Sequence, residues 1–285
     1  MNEIVFFPPD KSLSPFIYGY LYSRHRINGI EKPFFTPKGS AAIVILLEIN
    51  SSSYLEYPDP SSKIYFDRFV PYLCGQMSRM GKSHIEGQFD VFVIVFNPTG
   101  LFHFMEGSPR QITDRFERME HFGLNGLSQK LKNLFESNAK PENCISDVNK
   151  ILIAHFSSCI RKNVTLNMAP IVNEMLQRNG LIGLAEIVER LEVSFRTFQN
   201  HFKNQIGLSP KLFCRIIRFN ALLLALDENP MPDILELALQ FGYSDNSHLH
   251  KDFKQFVGMT PKKYLQLYLN INSEIELELK RNFSG

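Results

Sequence analysis

The C-terminal part of the chain repeats itself at an offset of 51 residues, and this repeat restricts the fold more than any other feature. Phe198 matches Leu249, Phe202 matches Phe253, Ile206 matches Val257 and Gly207 matches Gly258. Ser209-Pro210 then matches Thr260-Pro261, and Phe213 matches Tyr264. Each copy ends on Gly-x-[Ser/Thr]-Pro, a local grammar with a physical reason behind each letter. Glycine closes a helix because it tolerates a left-handed backbone. Ser or Thr caps the next helix, and Pro sits in its first turn, where no N–H is needed. Upstream of each copy lies an apolar stripe at i, i+3, i+4 and i+7. In the first it is Leu184, Ile187, Val188 and Leu191, and in the second Ile234, Leu237, Ala238 and Phe241. The pattern predicts two helix–turn–helix units, at about 184–205 and 234–256. No strand pattern interrupts from Ile171 to Leu269.

The second helix of each unit has two faces. Phe195, Phe198 and Phe202 are expected on the buried side of the first, and Leu249, Phe253 and Phe256 on that of the second. The opposite faces carry Arg196, Gln199, Asn200 and Lys203, then Ser247, His250, Lys251 and Lys254, with Asn246 opening the second helix. These side-chain types hold phosphates and read base edges in the major groove. Neither quartet contains a carboxylate, as a surface meeting phosphates requires. Whole-chain charge hides this, because 31 Lys+Arg against 29 Asp+Glu leave only +2, which excludes a strongly basic DNA-coating protein. Locally, Ser194 to Leu226 holds five Lys/Arg and no carboxylate, and Asp245 to Lys263 holds four against two. A helical interaction module without DNA binding is the competing reading of the same faces.

Residues 184–269 resemble the double helix–turn–helix module of the AraC-type transcriptional regulators. Val193-Ser194-Phe195-Arg196-Thr197-Phe198-Gln199-Asn200-His201-Phe202 carries the first motif. The second runs from Phe241-Gly242-Tyr243-Ser244-Asp245-Asn246 through Lys254 and closes with Gly258-Met259-Thr260-Pro261-Lys262-Lys263-Tyr264. Asn200 stands where the family commonly has Arg, and His248-Leu249 replaces its usual Tyr-Phe pair. The resemblance implies a linker helix joining two subdomains, each placing a recognition helix in one of two adjacent major grooves of double-stranded DNA. It also implies a β-rich N-terminal domain that senses a small-molecule effector and forms a homodimer, with RNA polymerase as the partner of an activator. The spacing agrees, since Pro210 to Asp227 as a helix spans roughly 27 Å, comparable to the roughly 34 Å between successive turns of duplex. Lys211, Arg215 and Arg218 on this helix are candidates for phosphate contacts.

The fold class expected is therefore α+β with two domains. Residues 1–163 form a β-rich, cupin-like sensor with two following helices, and residues 164–285 form the all-α DNA-binding domain. Ala41–Ile49, Ile64–Val70 and Phe89–Phe96 are apolar runs of strand length bounded by Gly, Pro, Ser and Asn. Helical patterns cover Leu124–Ser137 and Ser146–Ile160, with Ser146 as an N-cap, and are apolar enough for a two-fold interface. Cys74, Cys144, Cys159 and Cys214 are scattered and read as reduced thiols. No metal site is expected, because His84-Ile85-Glu86 lacks the preceding His-x-His of a metal-binding cupin; no cofactor and no catalytic residue are expected either. A cupin-type metal-dependent enzyme, or a DNA-repair protein fused to the DNA-binding module, is the alternative. Arg24-His25-Arg26 reads as an anion-binding cluster or a solvated strand end, and His103 as a packed or surface histidine. The aromatic-rich first half reads as core or as a pocket for an apolar ligand. The longest apolar run is too short to span a bilayer. The opening Met1-Asn2-Glu3 lacks a signal-peptide pattern, so the expected location is the cytoplasm. The acidic tail Ser273–Gly285 is expected to be a solvated helix end.

Overall fold

The computed structural model describes residues 3–268 except 32–33, 59–60, 139, 162–163 and 229–232. The expectation for the tail Ser273–Gly285 lies outside the described residues.

Alternation of buried and half-buried side chains turns the apolar runs of the first part into strands. They are β1 (Glu3–Phe7), β2 (Ile17–Glu31), β3 (Phe34–Phe35), β4 (Ala42–Glu48), β5 (Tyr54–Glu56), β6 (Lys63–Ile64), β7 (Pro71–Cys74), β8 (Gly81–Phe96) and β9 (Phe116–Arg118). All pair antiparallel, in the order β1-β2-β8-β4-β7-β9, with β3 and β5 on the first half of β8 and β6 beside β5. Registers such as Tyr22↔Phe92 and Ile43↔Ile94 align the buried residues across the sheet. The apolar run at Ile64–Val70 contributes only two residues of strand. Beyond them Phe69 turns to φ 63°, and Arg68 pairs with Glu48 at 3.0 Å.

Helices α1 (Gly100–Phe104), α2 (Asn125–Glu136) and α3 (Ile145–Cys159) cover one face of this sheet. Leu131, Phe135, Leu152 and Phe156 interleave with Ile43, Phe92 and Phe96, each at most 2% exposed. Phe92 lies 4.7 Å from Phe135 between ring centroids, and Tyr20 donates its hydroxyl to Asn149 Oδ1 at 2.6 Å. The inner stripes of α2 and α3, expected at a two-fold interface, are thus buried in the domain's own core, while Ile160 just beyond α3 stays 36% exposed. Ser146 is not an N-cap, because the 3-10 turn Pro141–Cys144 runs directly into α3 and places Ser146 inside the helix. A second, aromatic-rimmed cluster of Leu55, Tyr57, Cys74 and Met77 fills the lower sheet.

From Ala169 onward every described element is helical: α4 (Ala169–Gln177), α5 (Leu184–Arg190), α6 (Phe195–Ile206), α7 (Pro210–Glu228), α8 (Ile234–Gln240), α9 (Asn246–Phe256) and α10 (Pro261–Tyr268). One continuous core runs through them, from Met168 to Tyr264, with Phe198, Phe202, Phe213, Leu222, Leu249 and Phe253 at 0% exposure. Helix α7 is its shared spine. Phe213 meets Phe202 of the first unit at 5.6 Å, and Phe219 meets Phe253 of the second at 4.9 Å.

The β-rich part touches this helical part at the C-terminal ends of both α6 and α9. Ser108 Oγ donates to Asn204 O at 3.0 Å, and Thr113 Oγ1 donates to Gly207 O at 2.8 Å. These hydroxyls satisfy carbonyls that the end of α6 leaves without a helical partner. At the end of α9, Gln255 Nε2 donates to Ser78 O at 3.1 Å and Met80 N donates to Gln255 O at 3.3 Å. Asn220 on α7 donates to Pro37 O at 3.1 Å. The repeated glycines make this approach feasible. Gly207 (φ 95°) and Gly258 (φ 71°) end their helices left-handed, and a Cβ there would stand 2.8 Å from Thr113 Oγ1 and 2.1 Å from Met80 Sδ respectively.

Candidate nucleic-acid interface

Both α6 and α9, the second helices of the two units, start on a side-chain cap. Ser194, with extended backbone, accepts from Thr197 N at 3.1 Å, and Asp245 accepts from His248 N at 2.8 Å. That backbone hydrogen bond, followed by the Ser244 hydroxyl, holds the Asp245 carboxyl below its ordinary range. The cap fixes where the helix begins, and so which side chains project from its first turns.

The structure puts Arg196 and Asn200 on the exposed side of α6 and leaves Gln199 and Lys203 half-buried beside them. Asn246, Ser247, His250, Lys251 and Lys254 are all exposed on α9. The apolar faces beneath are Phe198 and Phe202 in one helix and Leu249, Phe253 and Phe256 in the other, none more than 1% exposed. Arg196, Lys203, Lys251 and Lys254 form no ion pair among the described residues, so each keeps its charge available to an anion. His248 lies half-buried with its ring centroid 4.9 Å from that of Tyr243, and Leu249 is fully buried. The departure at His248-Leu249 is accommodated by the core.

One residue differs from expectation. Phe195 was placed on the buried stripe by its spacing from Phe198, yet it is 45% exposed at the first position of α6, next to Arg196. It touches Phe198 edge-on at 6.4 Å and otherwise faces outward. An exposed aromatic in the first turn of a recognition helix suits an apolar contact such as a thymine methyl. Nothing in the periodicity marks it, because spacing assigns a face without saying what covers it.

The linker helix also differs. Arg215 is bound by the fully buried carboxylate of Asp252, through Nε at 3.2 Å and through Nη2, which also donates to Gln255 Oε1 at 3.0 Å. Tyr243 adds its hydroxyl to Asp252 at 3.1 Å, and burial pushes the Tyr243 phenol well above its usual range, with the Asp252 charge reinforcing it. Arg218 donates to Gly242 O at 3.3 Å and lies over the Tyr243 ring. Two of the three linker cations therefore brace the second unit from within, while Lys211 is exposed.

Outside the helical part, Arg24 of the Arg24-His25-Arg26 cluster is paired with Asp90 at 2.8 Å, and His25 contacts Ser23 Oγ at 2.6 Å. His84 pairs with Glu56 at 3.0 Å and stacks on Tyr54. His103 packs edge-on against Phe16 and Phe102, and burial lowers its pKa. Among the described residues no three His, Cys, Asp or Glu side chains cluster as a metal site needs. The four cysteines are free, and burial pushes the thiols of Cys144 and Cys214 up to about 11.

Residues 187–267 match the family described as a helix-turn-helix domain. A curated relative, the HTH-type transcriptional regulator MtrA of Neisseria gonorrhoeae, is 33% identical over 79 residues, which is 28% of this chain. The C-terminal domain is an AraC-type helix–turn–helix domain. The chain spans about a quarter, 26%, of the length of MtrA, so the likeness is to that domain alone. Residues 5–118 match a domain of unknown function, DUF6597. A crystal structure of ToxT from Vibrio cholerae aligns over 87% of this chain and 98% of its own, at 12% identity and a TM-score of 0.48. A ToxT structure with unsaturated fatty acid bound aligns over 90% and 98%, at 15% identity and a TM-score of 0.47. Within the AraC-type domain of the present chain, α5–α6 and α8–α9 are the two helix–turn–helix units, and α7 joins them. No helix among the described residues is long and apolar enough to cross a membrane.

Proposed function

We propose that the protein is a sequence-specific, DNA-binding transcription regulator in which α6 and α9 enter two adjacent major grooves. The observation that supports it most is the doubled, capped helix whose outward face carries cations and amides, with no carboxylate, at matching positions. Arg196, Gln199, Asn200 and Phe195 are the base-reading set of the first helix, and Lys203 is its phosphate contact. Asn246, Ser247 and His250 read bases from the second, and Lys251 and Lys254 hold phosphates. The β-rich part is the effector-responsive element, because it contacts the ends of both recognition helices and the helix between them. It also carries the homodimer contact, through whatever surface α2 and α3 leave free. The protein works in the cytoplasm, contacts RNA polymerase from the DNA, and catalyses no reaction.

Selection of bound sequences from a random DNA pool by the full-length protein tests this reading. The expected motif has two boxes whose centres lie about one helical turn, roughly 10 base pairs, apart. A pool that shows no enrichment, or a single box, refutes it. Sedimentation with and without the selected duplex tests the homodimer, which a monomer in both conditions would contradict.

A further inference from the structure

A cavity of about 470 Å³ lies between the β-rich part and the second recognition helix. Arg79, Met80, Lys82 and Glu56 line it from one side, and Lys254 and Gln255 from the other. Arg79, Lys82 and Lys254 are exposed, and none makes an ion pair or a side-chain hydrogen bond among the described residues. The one carboxylate, Glu56, is engaged with His84 at 3.0 Å. Lys254 is also the last member of the outward stripe Ser247, His250, Lys251 and Lys254, so the cations of the β-rich part continue that stripe beyond the helix end.

The placement of Arg79 is built. Its neighbour Ser78 is tied on both sides, with Oγ donating to Asp114 Oδ2 at 2.6 Å and N donating to Asp114 Oδ1 at 2.7 Å. Tyr57 donates its hydroxyl to the same carboxylate. Its other neighbour, Met80, donates its N–H to Gln255 O, and Gln255 Nε2 returns a hydrogen bond to Ser78 O. Arg79 therefore projects from a three-residue bridge clamped to α9 itself. Lys82 sits in β8, opposite Glu56 in the register. The backbone that carries Arg79 is therefore fixed beside the end of α9, while both cationic side chains stay free to reach an anion.

We propose that Arg79 and Lys82 belong to the DNA interface, gripping the phosphate backbone just beyond the C-terminal end of α9. The proposal rests on the regulator reading above. It gives the β-rich part a direct hand in DNA binding, added to its contacts with the helices that read the bases.

The test is the salt dependence of binding by the full-length protein to a fluorescent duplex carrying the pool-selected sequence. Losing two phosphate contacts should make the slope of log K against log salt shallower by about 1.8, and weaken binding about 30-fold near 0.15 M salt. We expect this for Arg79→Ala/Lys82→Ala and for the longer Arg79→Gln/Lys82→Gln, with melting unchanged. The control is Lys132→Ala/Lys150→Ala, which removes two charges paired with Glu136 and Asp147 on α2 and α3. A wild-type slope in the Arg79/Lys82 variants overturns the proposal and leaves the regulator reading intact. So does a control that shifts the slope equally, since the effect would then be general charge. A wild-type protein that binds no duplex overturns both readings.

Discussion

Asp252 is the side chain whose loss should most cleanly separate the second helix–turn–helix unit from the rest. It is 0% exposed and accepts from three donors: Arg215 Nε, Arg215 Nη2 and the Tyr243 hydroxyl. Truncation to Ala leaves Arg215 without its counter-ion inside the domain. Breaking a buried pair in this way costs about 3–5 kcal/mol when the survivor is fully enclosed. Arg215 is 21% exposed and keeps Gln255 Oε1 at 3.0 Å, which reduces its share to about 2 kcal/mol. Tyr243 is 1% exposed, so its orphaned hydroxyl adds about 1 kcal/mol. The expected loss is about 3 kcal/mol, or about 12–15 °C in Tm if the helical domain, on the order of 100 residues, melts as one unit. Hydrogen exchange should show the loss in α8–α10 first, and DNA footprints should shrink to one box. The double variant Arg215→Met/Asp252→Leu should recover most of the stability, because an apolar pair replaces the buried ions without leaving a charge behind. The reasoning fails if Asp252→Ala melts within about 2 °C of wild type. It fails equally if the double variant is as unstable as the single.

Three further outcomes are expected. Arg196→Ala should relax sequence preference at one position of the first box by about 1–3 kcal/mol, as loss of a bidentate guanine contact would, measured by competition among single-base variants of the selected duplex; equal weakening on every sequence would remove Arg196 from the base-reading set. Ser194→Ala should destabilise the helical domain by about 1 kcal/mol in denaturant titration through loss of the cap on Thr197 N, and Ser194→Asp should restore it. Burial, set against a hydrogen bond to Phe104 O in the case of His155, lowers the pKa of both His103 and His155, so near pH 6 the unfolded chain binds more protons than the folded one. Stability of the β-rich part should therefore be full above about pH 6.5 and decline as pH falls below it, and a Tm that stays flat down to about pH 5 would contradict this.

Much of the helical domain was legible because its instructions are local. Gly207, Gly258 and the two Ser/Thr-Pro pairs each act within a few residues, so the repeat could be read without knowing what lies across from it. The sites of Arg215 and Arg218 could not. Spacing places them on the linker helix, but their partners are 37 and 24 residues away, and a cation bound by its own protein looks in sequence like one waiting for phosphate. Phe195 misled for a related reason, because periodicity assigns a face without saying how far the neighbouring helix extends over it. The contacts through Thr113 and Gln255 span 94 and 177 residues, and no pattern of hydrophobicity encodes them. Arg79 and Lys82 gain their interest from that docking alone.

The bridge from one recognition-helix end to the other has a consequence for the kind of operator such a protein tolerates. Helix α7, about 28 Å long for its 19 residues, sets one separation between the reading helices. The segments at Ser78–Met80 and Ser108–Thr113 fix the same separation a second time, from the opposite ends. Two struts across one gap make a gauge block, while a single strut makes a hinge. An extra base pair between the boxes moves the second by about 3.4 Å and turns it by about 34°. A hinged reader would follow that change at modest cost. A reader braced twice rejects it, so phasing between the boxes should count for as much as the letters within them.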